Sequence, residues 1–165
     1  MNLATPWQAE REVDSGLARR LIQDLCPELA PVRLEPVGHG WDNTVFGVNR
    51  QWVFRFPRRQ VGADLLDVEL GVLPRLADRV PVDISVPLWV GEPDLGYPWR
   101  FSGGRWIEGK SVAERNPGLQ QRMGLADSLA EFLAVFHAAV VMVFANETGE
   151  LQLVEEVTRA LEWVR

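Results

Sequence analysis

Val37-Gly38-His39-Gly40-Trp41-Asp42-Asn43-Thr44-Val45-Phe46-Gly47-Val48-Asn49-Arg50-Gln51-Trp52-Val53-Phe54-Arg55-Phe56-Pro57 is the stretch around which the rest of the chain is arranged. It reads as a glycine-punctuated turn, an alternating strand, a tight turn and a second strand. Gly38 and Gly40 can take backbone angles closed to other residues and leave room for a ligand against the main chain. Successive N–H groups in such a turn form a concavity that suits anions. On the first strand Val45, Gly47 and Asn49 alternate with Thr44, Phe46 and Val48, and Asn49-Arg50 fits a hairpin turn. On the second, Trp52, Phe54 and Phe56 face one way, so Val53, Arg55 and Pro57 face the other. One cation, Arg55, is thereby set beneath the turn, where phosphates would lie. The order predicts a phosphate-covering hairpin.

Composition narrows what such a hairpin can serve. A chain of 165 residues suits one domain, or a small lobe with part of a second. With 47% hydrophobic and 24% charged residues it has the balance of a folded protein rather than a disordered one. A net charge of -6 argues against nucleic acid as a partner, because a polyanion would be repelled except at a local basic patch. Arg55, Arg58 and Arg59 form such a patch, large enough for a phosphate ligand. Cys26 is the only cysteine, so no intrachain disulfide can form. The first residues lack the pattern of a signal peptide, and the most apolar run, Ala138 to Ala145, is far below the ~20 residues of a membrane span. The expectation is a cytoplasmic protein with no membrane partner.

The flanking sequence supplies the remaining elements. Residues 1–12 have no period and read as a loose lead-in. Asp14 or Ser15 can cap a helix carrying Leu17, Leu21, Ile22 and Leu25, which ends before Pro27. Val32 to Val37 reads as a first strand, and Pro36 assigns it to a sheet edge. After the hairpin, Asp64 can cap a helix to Ala77 with an apolar stripe of Leu65, Val68, Val72, Leu73 and Leu76. Glu69 sits beside that stripe and can pair with Arg55, or with Arg58 or Arg75 as a solvated carboxylate. Leu88 to Glu92 and Trp99 to Ile107 read as strands on either side of the Pro93-Asp94-Leu95-Gly96 turn. From Leu119 to about Phe144 the pattern is one long helix, with Met123, Ala126, Leu129, Ala130, Leu133, Phe136, His137 and Val140 on a broad apolar face. A final amphipathic segment carries Leu151, Val154, Val157, Leu161 and Val164.

Gly38-His39-Gly40-Trp41-Asp42-Asn43-Thr44, Trp52-Val53-Phe54-Arg55-Phe56-Pro57-Arg58, Val90-Gly91-Glu92-Pro93, Gly96-Tyr97-Pro98-Trp99 and Arg105-Trp106-Ile107-Glu108-Gly109 together resemble the aminoglycoside phosphotransferase family, whose fold is similar to that of protein kinases. The resemblance covers roughly Val13 to His137. It implies an α+β fold: a kinase-like small lobe over residues 1–107, with an antiparallel sheet and one packed helix, then a helical remnant of the large lobe over residues 108–165. It implies ATP, or another nucleoside triphosphate, with Mg2+ if bound. Gly38, Gly40 and Asn43 would cradle the phosphates, Arg55 supported by Glu69 would hold them, and backbone groups of Gly104, Arg105 and Trp106 would meet the base. The activity implied is phosphoryl transfer to a hydroxyl of a small polar molecule.

The sequence also departs from that family. Its catalytic loop places an asparagine five residues past an aspartate, and no His-x-Asp-x-x-x-x-Asn occurs here. His137 is followed by Ala138-Ala139 and continues a helical pattern, so it reads as a packing histidine. Asp94-Leu95-Gly96 imitates a metal-binding motif but precedes the hinge, so it reads as a turn. No catalytic residue and no metal ligand can be assigned. The alternative to an active enzyme is a truncated, inactive homologue that binds nucleotide or serves as an interaction module, with self-association covering surface the large lobe would bury. A degraded gene product is a third reading.

Overall fold

The computed structural model describes residues 8–148. The chain divides into two compact units, Met1–Gly71 with Ser85–Trp106, and Val72–Ile84 with Ile107–Arg165. The first unit opens with α1, Ser15–Leu25, whose N-cap Asp14 accepts the Leu17 N–H at 2.8 Å and which stops at Cys26 ahead of Pro27. Five strands follow: β1 Leu34–His39, β2 Asn43–Val48, β3 Trp52–Pro57, β4 Pro87–Gly91 and β5 Phe101–Arg105. They form one antiparallel sheet in the order β1-β2-β3-β5-β4, with Pro36 on an edge strand. The fold class is α+β.

The hairpin closes as its sequence requires. Asn49 and Arg50 have φ of 52° and 59°, the paired positive angles of a type I′ turn. The Asn49 side chain accepts the Arg33 N–H at 3.0 Å and donates to the Leu29 carbonyl at 2.8 Å, which ties the turn to the approach of β1. Phe46, Val48, Phe54 and Phe56 fill one sheet face with Phe101 and Tyr97, and Ala18, Leu21 and Ile22 of α1 complete that core. Phe56 stacks on Phe101 at 4.7 Å between centroids, and Phe54 stacks on Trp89 at 5.8 Å. Each such ring contributes about 1.5–3 kcal/mol by burial. The helix that fills this face is therefore α1, which contacts β1 and β4.

The second helix, α2, spans Gln60–Leu76 and so begins ahead of Asp64. Its first turn is met by a residue far away in the chain: the Glu10 carboxylate accepts the Gln60 N–H at 3.2 Å. Asp64 instead lies inside the helix and accepts from the Gln60 side chain. The first half of the stripe is also out of phase with expectation, while Val72 and Leu76 pack as expected. Leu65 and Val68 are 51% and 55% exposed, while Ala63 and Leu66 are buried. Apolar residues stand on nearly every side of this segment, so periodicity alone could not choose the face. The true phase sets Glu69 three residues beyond Leu66, on the inward side. Strand limits moved as well. A bulge between Pro36 and Gly38 carries β1 into the glycine turn, and β5 is shorter than Trp99–Ile107.

In the second unit Leu76 is buried against Val72, Ile84 and Phe136. The short α3, Val112–Arg115, begins with a reciprocal Ser111–Glu114 capping box. The long α4 spans Leu119–Thr148. Met123, Leu129 and Leu133, expected on a buried face, are exposed, and so is His137, whose ring lies edge-on to Phe136 at 6.2 Å between centroids. The Val140 side chain and the Leu151–Val164 segment lie outside the described residues. Among the described residues no helix is long and apolar enough to cross a membrane.

Candidate functional site

The site is built on the face of the sheet opposite the aromatic core. Cross-strand partners share a face, and Arg55 pairs with Val45 on one side and Ser102 on the other, while Val53 lies between Gly47 and Gly104. Arg55, Val53 and Gly104 thus share one surface. Arg55 Nη2 donates to Glu69 Oε2 at 2.5 Å, with the two side chains 27% and 36% exposed. Neither Arg58 nor Arg75 takes Glu69 in its place among the described ion pairs. The remaining N–H groups of Arg55 have no protein partner among the described residues, so the fork is held at one tip and open at the others.

At one end of this face stands the glycine turn. Gly38 has φ of 147°, and a β-carbon on Gly38 or Gly40 would meet nothing within 4 Å. The Gly40 N–H donates to the Asn43 carbonyl at 2.9 Å, closing the turn below an exposed Trp41. At the other end lie Gly104 and Trp106. A β-carbon on Gly104 would stand 2.7 Å from the Val86 carbonyl oxygen, and the Trp106 indole lies over Gly47. The Trp106 N–H is committed to the Gln51 carbonyl at 2.8 Å. Arg105 pairs with Trp52, which sets its side chain on the opposite face.

The three-arginine patch is divided by the fold. Arg58 is 8% exposed and its guanidinium donates to the Gly40 carbonyl, to His39 Nδ1 and to Glu12. Arg59 pairs with Asp42 at the tip of the turn. These two arginines brace the turn, and Arg55 is the cation presented beneath it. The end of the lead-in is also tied down: the Glu10 and Arg11 N–H groups donate to the Arg58 carbonyl at 2.9 and 3.1 Å. Sequence reading missed Glu12 as part of the site and gave Arg58 and Asp42 no bracing role, since nothing in local spacing links residue 12 to residue 58.

A nucleotide fits what is present, with open space over the glycines and an anchored cation on the same sheet face. Among the described residues no group of three or more His, Cys, Asp or Glu side chains could hold a metal ion. Asp94-Leu95-Gly96 is a turn, with Leu95 and Gly96 at φ of 49° and 77° and the Tyr97 N–H on the Asp94 carbonyl at 2.8 Å.

An open five-stranded antiparallel sheet carrying a glycine turn, a strand arginine and a helix glutamate is the arrangement of a kinase-like small lobe. The model of the phosphotransferase enzyme family matches residues 33–164, and the chain belongs to that family. Among solved structures it is similar to wild-type aminoglycoside 2′-phosphotransferase-IIIa in complex with GDP, at 27% identity and a TM-score of 0.71, covering 89% of this chain and 52% of that one. It is similar also to APH(2″)-IIIa in complex with GDP and kanamycin, at 28% identity and a TM-score of 0.68, covering 86% and 50%. The gentamicin complex of APH(2″)-IIa shares the fold at 18% identity and a TM-score of 0.55, covering 77% and 40%. No curated protein matches the chain. The chain spans about half the length of the structural relatives it matches.

Proposed function

We propose that this chain binds a nucleoside triphosphate, ATP or another, as the nucleotide-holding part of a small-molecule O-phosphotransferase. The observation that carries this reading is the Arg55–Glu69 pair, which fixes a cation on the sheet face beneath a glycine turn. A carboxylate holding one tip of a guanidinium leaves its remaining donors aimed for phosphate oxygens, where charge-assisted hydrogen bonds are strong. That relatives at 27% and 28% identity hold GDP supports a nucleotide as the ligand. In this reading residues 1–107 are the lobe that receives the nucleotide, and residues 108–165 are the start of the helical part. Val53 and Gly104 would border the base, and Gly38, Gly40 and Asn43 the phosphates.

Transfer to a hydroxyl of a small polar acceptor is what the complete family architecture would perform. This chain lacks the His-x-Asp-x-x-x-x-Asn loop that would orient the acceptor. We therefore assign it nucleotide binding, in a cytoplasmic setting where triphosphates are abundant, with turnover dependent on groups this sequence does not contain. Displacement of a fluorescent nucleotide analogue by Mg-ATP and Mg-GTP tests the assignment. Saturable displacement supports it, and a well-folded chain that binds neither analogue nor triphosphate overturns it.

A further inference from the structure

The first half of α4 lies bare along its whole circumference, and we infer that it pairs with a second copy of this chain as a parallel two-stranded coiled coil. Every residue from Gly118 to Glu131 is exposed, and Leu119 is 73% open to solvent. A helical segment with nothing packed on it draws little stability from propensity alone, and an apolar face of this length calls for cover. The spacing of that face is one a second copy can match. Leu119, Met123, Ala126, Ala130 and Leu133 recur at intervals of four, three, four and three, so they fall at alternating d and a positions of a heptad and form one seam. The neighbouring apolar stripe is already in use: Phe132 and Phe136 are half-buried, and Phe136 packs on Leu76 within the same unit. The seam from Leu119 to Leu133 is the side left open.

Charge selects the partner and its direction. Between Leu119 and Leu133 only two charged residues flank the seam, Arg122 at a g position and Asp127 at an e position. In a parallel pair a g residue faces the e residue five places on in the other helix, so Arg122 meets the partner's Asp127, and the two-fold axis repeats the pair. In an antiparallel pair g faces g and e faces e, and these opposite charges never meet. Both groups can take part. Asp127 has no partner among the described residues, and Arg122, whose Nε and Nη2 donate to the Pro117 carbonyl and to Asn116 Oδ1, keeps Nη1.

The test is sedimentation velocity of the full chain from about 1 to about 100 μM, the range over which a self-associating chain passes from monomer to dimer. The expected result is a dimer that Met123→Glu reduces to monomer. Arg122→Glu and Asp127→Arg should each weaken the dimer about 10-fold, since each sets two like-charged pairs beside the seam, and the chain carrying both changes should regain it. Leu119→Cys and Leu133→Cys should each form a disulfide-linked dimer on mild oxidation, because parallel helices bring like positions together and Cys26 is buried out of reach. Cross-links that appear only when the two cysteine variants are mixed would show antiparallel helices and overturn the proposal. Association indifferent to Met123→Glu or to the charge reversals overturns it as well. So does a chain monomeric at every concentration: if Met123→Glu then lowers its urea midpoint, the seam is covered by a segment of the same chain, and if not, the seam has no partner.

Discussion

Gly62, in the first turn of α2, packs so closely on the tip of the glycine turn that a β-carbon there would lie 2.7 Å from the Asp42 carbonyl oxygen and 3.1 Å from the Asp42 β-carbon. That carbonyl already accepts the Arg58 N–H, so it cannot shift without breaking a bond. In an unconstrained helix Gly→Ala stabilises by up to about 1 kcal/mol. Here the sign should reverse: Gly62→Ala is expected to destabilise by about 1–3 kcal/mol, the range for overpacking a tight contact. Urea unfolding reads this directly, and a stabilised variant would show that helix and turn are not in contact.

The aromatic core makes a larger prediction. Phe54 is fully buried, stacks on Trp89, and presses on Gly103 so tightly that a β-carbon there would meet its ring at 2.4 Å. Phe54→Ala should cost about 3–5 kcal/mol. A loss under 1 kcal/mol in denaturant unfolding would place Phe54 outside the core.

Cys26 gives a pH dependence. Burial, with the Glu28 carboxylate in support, pushes its thiol from 9.0 up to about 11. A raised folded-state value means that the neutral thiol stabilises the fold, fully below pH 9.0, and that this contribution is lost as pH rises toward about 11. Burial pushes the Tyr97 phenol up as well, so it acts in the same direction at higher pH. Stability measured against pH should fall through this window, and Cys26→Ala should flatten the part that begins at 9.0. A disulfide-exchange reagent at about pH 8 should label Cys26 only after unfolding. Rapid labelling of the native chain would contradict the burial.

The hairpin was legible because its determinants are local. Asn49-Arg50 specifies its own turn, and alternation from Trp52 to Phe56 turns Arg55 away from the core without help from the rest of the chain. Asp14 likewise names the start of α1. What was not legible depends on residues distant in sequence. Gln60 starts α2 because Glu10 accepts its N–H, and Arg58 braces the turn because Glu12 holds it. The side of Arg105 is set by its register against Trp52, where a slip of one residue would exchange the faces. The inward phase of α2 was hidden by apolar residues all round it, and it is that phase which brings Glu69 to Arg55.

Because the Arg55–Glu69 pair is partly exposed, it should contribute at most about 1 kcal/mol to stability. Glu69→Gln should leave the unfolding midpoint nearly unchanged while weakening nucleotide binding, since the guanidinium loses its orienting charge. Equal losses of stability and binding would mark the pair as structural only.

Calorimetric titration of the purified chain with Mg-ATP, run beside Arg55→Ala and a check for turnover, tests the central claim most directly. Saturable binding that Arg55→Ala abolishes in a chain with an unaltered circular dichroism spectrum is the predicted result. A well-folded chain that takes up no nucleotide, or one whose binding is indifferent to Arg55, would contradict it.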